Sequence, residues 1–318
     1  MPICEAKPWR RQYFDAHPCP ADINIPTGDA DAWAWNPAHR GVYDRLQLAL
    51  GQGVAAAPHG VAPPYFPVFS KPIYKLTDAG GGARRLRSAA DYAARLTDGH
   101  MWMALLRGAR VSTDAALVDG EARWWRHATG IPGTAGGVDH WRIQAAPLPG
   151  LEQHLAEWAA RHLAGYTGMV NFETVGNTIT GAHLRFADQW PDLYGAGWVE
   201  ALVGLYQRGR WLFDDAARRD GYSVELAVPA GTLWSPAPPA AVQAACDMPD
   251  IASVQMVVPP EDAPGAICLA VINCWDLAAG LAARERLQRH LRLQAPPGPP
   301  SSRPASPSAP VPATTSSA

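Results

Sequence analysis

The sequence is poor in lysine, cysteine and net charge, and each shortage excludes a class of protein. Its 318 residues include three lysines among 27 basic residues, and five cysteines without any Cys-x-x-Cys spacing. An odd number of unpatterned cysteines argues against a disulfide framework and a zinc site, so we expect a reducing compartment, the cytoplasm. The net charge of −2 gives no reason to expect nucleic acid or an anionic membrane surface as a partner.

The sequence also lacks an unbroken apolar run of bilayer length. Its most apolar stretch, from Ile267 to Ala283, is interrupted by Asn273 and Asp276, which is typical of a buried strand followed by a helix. The first twenty residues carry charges and prolines where a signal peptide needs an apolar segment, so we expect no export signal. With 47% hydrophobic residues, the chain can bury a large core.

Composition divides the chain into three parts. Residues 1–35 are irregular and rich in Pro, Asp and Trp, which predicts an arm or cap. Residues 36–294 show the patterns of a mixed α and β domain. Residues 295–318 consist almost wholly of Pro, Ser, Ala and Thr, and such a tail cannot bury enough surface to fold, so we expect it to be disordered.

Apolar periodicity and turn signals predict the elements of the middle part. Asp-Gly at 119–120 and Gly-Asn at 176–177 indicate two hairpins. Short strands between Pro-rich loops are expected over 222–272. The predicted helices cover about 40–51, 88–96, 151–163, 197–206 and 277–293.

Two of the three lysines lie four residues apart, Lys71 on a predicted strand, 66–74, and Lys75 directly after it. Strand alternation places Lys71 and Lys75 on one face. Because the chain uses arginine for nearly every other positive charge, two retained ammonium groups suggest a phosphate contact. The alternative is a solvated edge strand followed by a surface turn. A run of three glycines follows at Gly80, Gly81 and Gly82.

The second hairpin carries polar side chains on otherwise apolar strands. We expect its two strands to bring Asn171, Glu173, His183 and Arg185 to one place. A carboxylate and an amide oxygen suit Mg²⁺, and a nearby arginine suits a phosphoryl group. A buried Glu173–Arg185 ion pair and a satisfied core histidine are the structural alternatives.

In this order, the segments resemble the ATP-grasp superfamily, which includes biotin carboxylase and D-alanine–D-alanine ligase, over about residues 36–195. The strand 66–72 is similar to the family strand whose lysine contacts ATP phosphate, and the glycine run to the loop over the phosphates. The 101–103 strand is similar to the segment that supplies the adenine hinge. The stretch 165–173 is similar to the one that ends in a metal-binding glutamate.

The resemblance implies an α+β ATP-grasp fold, in which two α+β subdomains grip a nucleotide, without a full N-terminal domain. It further implies ATP and Mg²⁺ as cofactors, and a carboxylate–amine ligase that acts through an acyl phosphate on small-molecule substrates. Oligomeric state is left open, including a homo-oligomer. The implied catalytic residues are Arg185, His183 and Asp188, the ATP-binding residues are Lys71, Lys75, Gly80, Gly81, Gly82, Trp102 and Met103, and the metal ligands are Glu173 and Asn171.

The chain departs from the family pattern in the second hairpin. Gly181 and His183 stand where the family has a metal-binding glutamate and asparagine, and Gln189 stands where carboxylases have a catalytic glutamate. A non-catalytic nucleotide-binding module with a regulatory or scaffold role is therefore an alternative, and a kinase-like transfer to another acceptor is a third. All three require Lys71 and Glu173 to face each other across one cleft.

Overall fold

A computed structural model describes residues 3–4, 14–76, 82–133, 138–229, 232–257 and 267–294. The helices are α1 (Asp29–Trp35), α2 (Arg45–Gly51), α3 (Ala89–Ala94), α4 (Pro149–His162), α5 (Trp198–Arg208), α6 (Pro239–Cys246) and α7 (Leu277–His290), with 3₁₀ turns at Pro37–Tyr43 and Pro191–Leu193. The strands are β1 (Ile3–Cys4), β2 (Ile25–Pro26), β3 (Ala56–Pro58), β4 (Val68–Pro72), β5 (Arg84–Leu86), β6 (His100–Ala104), β7 (Arg110–Val118), β8 (Glu121–Pro132), β9 (Val138–Gln144), β10 (Gly168–Val175), β11 (Thr178–His183), β12 (Gly221–Val228), β13 (Leu233–Ser235), β14 (Ile251–Met256), β15 (Ile267–Cys274) and β16 (Arg292–Gln294).

An eight-stranded antiparallel sheet forms the centre of the molecule, in the order β11-β10-β7-β8-β9-β12-β15-β14. Both predicted hairpins lie in it, as β7–β8 and β10–β11. At the first turn, Asp119 and Gly120 have φ angles of 53° and 81°. Two successive positive φ values match the right-handed twist of the flanking strands, which is why Asp-Gly marks this turn in the sequence.

Helices cover both faces of the large sheet. On one face Leu155 and Trp158 of α4 pack on Val170 and Phe172, and all four are buried. On the other face α5 inserts the fully buried Trp198 into an aromatic cluster. The far end of the sheet is covered by α6 and α7, which pack on β12, β14 and β15.

A second, four-stranded antiparallel sheet has the order β3-β6-β4-β5. Alternation along β6 places Trp102 in one apolar cluster, with Val68 and Leu86, and places Met101 and Met103 in another. The edge strand of the large sheet, β11, is held by Gln52, which follows α2. The Gln52 side-chain amide donates one hydrogen bond of 2.8 Å to the carbonyl of Ile179 and accepts another of 2.8 Å from its N–H. The two sheets match the two α+β subdomains that the ATP-grasp resemblance implies.

Two local predictions were wrong. The pattern over 40–51 predicted one helix, but the chain breaks at Asp44, whose carboxylate accepts hydrogen bonds from the amides of Leu46 and Gln47 and begins a new helix, α2. A side-chain cap of this kind is worth about 1 kcal/mol and competes with continuation of the helix. The region 222–272 was expected to contain strands alone, yet it includes α6.

The described part of the predicted arm packs against the main body. Phe14 and Ile25 are fully buried in the core beside α5, and α1 contacts the 3₁₀ turn that follows it. Among the described residues, no helix has both the length and the apolar character that a bilayer crossing requires. The predicted tail, 295–318, lies outside the described residues.

Gly280 tests the packing of α7 on the sheet. A Cβ at this position would lie 3.1 Å from Val224 Cγ2 and in closer contact with Cys274 Sγ. We expect Gly280→Ala to lower the free energy of unfolding by about 1–3 kcal/mol through overpacking, although helix propensity alone favours alanine by about 1 kcal/mol. Gly150→Ala in α4 is the control, because its Cβ would meet no atom within 4 Å. Denaturant unfolding measures both, and a stabilised Gly280→Ala would contradict the packing.

Candidate active site

A cleft of about 390 Å³ separates the small sheet from the β10–β11 edge of the large sheet. Both walls supply positive charge, and two carboxylates enter the same space. The basic side chains that line the cleft are Arg45, Lys71, Lys75, Arg110 and Arg185, the acidic ones are Asp29 and Glu173, and the apolar ones include Phe69, Met103, Leu105 and Leu106.

Lys71 reaches across the cleft from the small sheet. It is 7% exposed, and its Nζ donates a hydrogen bond of 2.8 Å to the backbone carbonyl of Thr180 on β11. Burial and the nearby Arg45 lower the pKa of Lys71 to about 8, although Glu173 opposes the shift. The ammonium keeps two N–H donors beyond the one it uses, so it can bind an anion in the cleft.

Glu173 lines the same cleft as Lys71, from the large sheet. On β10, Glu173 and Asn171 share one face, and their partners across β11 are Gly181 and His183. The Glu173 side chain is 41% exposed to the cleft. Partial burial raises the pKa of Glu173, but His183 and the surrounding arginines outweigh burial and lower the pKa to about 2. Glu173 is therefore ionised at neutral pH.

Asp114 is a buried carboxylate that holds several segments of the site together. This carboxylate is 1% exposed and accepts hydrogen bonds from Asn171 Nδ2 (2.7 Å), the Tyr194 hydroxyl (2.6 Å) and the amide of Ala187 (2.9 Å). Burial outweighs these donors and raises the pKa of Asp114 to about 6. Because its partners come from β10 and from the segment after β11, Asp114 fixes that segment against the sheet.

Asp29 holds the two basic residues at the end of β11. Its carboxylate accepts two hydrogen bonds from the Arg185 guanidinium (2.9 and 3.1 Å) and one from His183 Nδ1 (3.0 Å). Burial raises the pKa of Asp29, but Arg185 and His183 outweigh it and hold the pKa well below the usual range. A third Arg185 donor, Nη1, binds the carbonyl of Phe186, so the guanidinium has a fixed orientation.

The structure brings six of the predicted site residues into one cleft: Lys71, Lys75, Met103, Glu173, His183 and Arg185. Asn171 and Asp188 line a smaller adjoining recess, which shares Arg110, Glu173 and Arg185 with the cleft. Gly82 lies against His100, while Gly80 and Gly81 lie outside the described residues.

The assignment of Trp102 to the adenine hinge needs correction. Strand alternation turns Trp102 away from the cleft into a separate apolar cluster, and its Nε1 donates a hydrogen bond to the carbonyl of Val61. Its neighbour Met103 faces the cleft instead.

Sequence reasoning missed Asp29 and Arg110 of the cleft. Asp29 belonged to the expected arm, and nothing in its local pattern indicates a partner 156 residues away. Arg110 begins β7, two residues before Ser112 and four before Asp114, so strand alternation could have placed it on the polar face.

The cleft offers few ligands for a metal ion. Within the described part of the chain, no group of three or more His, Cys, Asp or Glu side chains is placed to hold one. Glu173 offers a carboxylate, and Gly181 offers no side chain where the family has a ligand. The Asn171 amide nitrogen is engaged by Ser112 and Asp114, which fixes the orientation of its side chain. Glu173 fits a cation that also binds a phosphate oxygen, and Asn171 stays a prediction.

No protein-family model and no curated protein sequence matches the chain. Solved structures do. An L-amino acid ligase from Bacillus licheniformis superposes with a TM-score of 0.60 at 11% identity, over 90% of this chain and 83% of that chain. A carboxyaminoimidazole ribonucleotide synthase from Aspergillus clavatus complexed with ATP gives 0.59 at 10% identity, over 84% and 76%.

A phosphoribosylamine–glycine ligase from Thermotoga maritima gives a TM-score of 0.55 at 12% identity, over 86% of this chain and 84% of that chain. Similarity at identities this low establishes only a shared fold. These structures are ATP-grasp proteins. The chain therefore has the ATP-grasp fold, as the resemblance in the sequence predicted.

Proposed function

We propose that the cleft binds ATP and that the protein is an ATP-dependent carboxylate–amine ligase. The observation that carries the proposal is the set of basic side chains on facing walls, with Lys71 and Lys75 on one side and Arg110 and Arg185 on the other. Cations held this close together, with a single half-exposed carboxylate among them, suit a polyanion.

The cleft also has a place for a base. Phe69 and Met103 of the small sheet and Leu105 and Leu106 of the connection to the large sheet form an apolar wall. The volume of about 390 Å³ lies within the range of small-molecule sites, which combine an apolar lining with a few polar groups. A nucleotide with its base on this wall would direct its phosphates toward Lys71 and Glu173.

The proposed reaction has two steps. A substrate carboxylate oxygen attacks the γ-phosphorus, so that a new O–P bond forms while the bond to ADP breaks. An amine then attacks the acyl carbon, phosphate leaves, and the amine loses a proton. Positioning and charge stabilisation dominate phosphoryl transfer. Arg185, which Asp29 orients, would interact with the transferred group. The recess beside Asp188 adjoins the cleft and would take the second substrate.

Mg²⁺ would be held by Glu173 and phosphate oxygens, and when bound it would offset charge on the β- and γ-phosphates. Lys71 would bind a phosphate oxygen with the donors it does not give to Thr180. The substrates of structural neighbours, amino acids and an aminoimidazole ribonucleotide, support a small carboxylate and a small amine as the partners here.

A second candidate is a non-catalytic nucleotide-binding module. Two observations favour it: Gly181 offers no oxygen ligand opposite Glu173, and Asp29 already neutralises Arg185. Under this alternative the protein binds nucleotide but releases no ADP.

Calorimetry with ATP and ADP, with and without Mg²⁺, tests binding, and an ADP-release screen across carboxylates and amines then separates the two candidates. We expect Lys71→Met to weaken ATP binding about tenfold or more, because a charge-assisted hydrogen bond contributes roughly 1.5–3 kcal/mol. Lys71→Arg retains the charge and is the matched control. Unchanged ATP affinity in Lys71→Met would overturn the phosphate assignment.

The lowered pKa of Lys71 predicts a pH dependence. The ammonium is charged below a pH of about 8 and neutral above it, so the affinity for ATP should fall as the pH rises through about 8. Titrations between pH 7 and pH 9 measure the fall, and Lys71→Arg should flatten it because arginine stays charged. An equal pH profile in the two proteins would assign the dependence to another group.

Asp29→Asn tests the role of the arm. Removing one partner of a buried ion pair costs about 3 kcal/mol, so we expect a loss of this order in the free energy of unfolding at neutral pH. The loss should vanish only well below the pKa of free aspartate, because the pKa of Asp29 is lowered. The released Arg185 should also strengthen ATP binding.

Asp31→Asn is the control for the Asp29 variant, because it removes an equal charge from the same turn of α1. Denaturant unfolding and calorimetry measure the two effects. Weaker ATP binding in a folded Asp29→Asn protein would mean that Arg185 needs Asp29 to be correctly oriented.

A further inference from the structure

The two ring nitrogens of His183 have different surroundings. The side chain is 4% exposed, and Nδ1 lies 3.0 and 3.1 Å from the two carboxylate oxygens of Asp29. An ionised carboxylate only accepts hydrogen bonds, so Nδ1 carries the proton. Nε2 is buried and has no hydrogen-bond partner among the described residues. It lies 3.9 Å from Glu173 Oε1, at the cleft.

The space in front of these two atoms depends on Gly181. A Cβ at this position would lie 3.1 Å from His183 Nε2 and 3.3 Å from Glu173 Oε2. Any larger side chain would therefore crowd both atoms. Glycine keeps the region between the nitrogen and the carboxylate free for a small ligand.

The arrangement matches that of a metal-binding histidine. Such a residue donates its other ring N–H to a carboxylate, which fixes the tautomer and the ring plane, and Asp29 supplies that carboxylate. Metal–nitrogen and metal–oxygen bonds of about 2.0–2.2 Å place two ligands of one ion roughly 3.0–3.5 Å apart. A small rotation of the half-exposed Glu173 side chain would close the remaining gap.

We propose that His183 Nε2 and the Glu173 carboxylate together bind a divalent transition-metal ion, and that Asp29 is a positioning residue for this site. An imidazole nitrogen favours Mn²⁺, Co²⁺ or Zn²⁺ over Mg²⁺, which prefers oxygen ligands throughout. The inference deepens the proposed function, since phosphate oxygens of a bound nucleotide would complete the coordination. The pair itself does not require the nucleotide.

Mn²⁺ bound to the full chain without nucleotide is the probe. The loss of the free-ion signal in electron paramagnetic resonance counts bound ions, and electron spin-echo modulation detects a ¹⁴N nucleus bonded to Mn²⁺. We expect one ion per chain with ¹⁴N coupling in the unmodified protein. His183→Asn should abolish the coupling and make Mg²⁺ a stronger competitor, because it replaces nitrogen by an amide oxygen.

His140→Asn is the matched control, because His140 also pairs with an aspartate, Asp139 at 2.8 Å, but lies outside the cleft. The ¹⁴N coupling of bound Mn²⁺ should persist in this variant. Glu173→Gln should weaken Mn²⁺ binding about tenfold, and Gly181→Ala should weaken it by crowding. Circular dichroism verifies that each variant is folded.

Absence of ¹⁴N coupling, or coupling that survives His183→Asn, would overturn the metal assignment. The outcome is separable from that of the proposed function. Mn²⁺ binding with ¹⁴N coupling but without ATP binding would retain the metal pair and reject the ligase. ATP binding without nitrogen coupling would retain the proposed ATP site and reject the metal pair.

Discussion

The register between β10 and its two neighbours is the constraint on which the site depends. It aligns Asn171 with Asp114 on one side and with His183 on the other, and it aligns Glu173 with Ser112 and Gly181. A shift by one residue would turn all of these side chains to the opposite face, which is filled by the apolar core under α4. The same pattern that buries Val170 and Phe172 therefore directs the polar residues into the cleft.

Electrostatics then decides what the cleft can bind. Lysine and arginine side chains from both sheets converge, and burial destabilises the charge of Lys71 enough to lower its pKa to about 8. An anion between the walls would reduce the repulsion among the cations and stabilise the charge of Lys71, whereas an apolar ligand would do neither. Asp29 offsets part of the charge internally, by pairing with Arg185, and at the same time orients His183. Asp29, which comes from a segment before the ATP-grasp elements, thus neutralises Arg185 and fixes the orientation of His183.

The sequence predicted the fold and half of the site for identifiable reasons. Hairpins with Asp-Gly and Gly-Asn turns and the alternation on β10 are local signals, so Glu173, His183 and Arg185 could be assigned to one place, and the resemblance to the ATP-grasp superfamily added Lys71. The side to which Trp102 points could not be predicted, because a buried strand such as β6 has apolar residues on both faces and the pattern does not distinguish the two faces. The role of Asp29 depends on a contact across 156 residues, which no local pattern encodes.

A crystal structure of the protein with a non-hydrolysable ATP analogue tests the central claim most directly. The account predicts that the triphosphate lies between Lys71 and Arg110, next to Glu173, with the base on the apolar wall formed by Phe69 and Met103. A nucleotide bound outside this cleft, or with its phosphates directed away from Lys71, would contradict it.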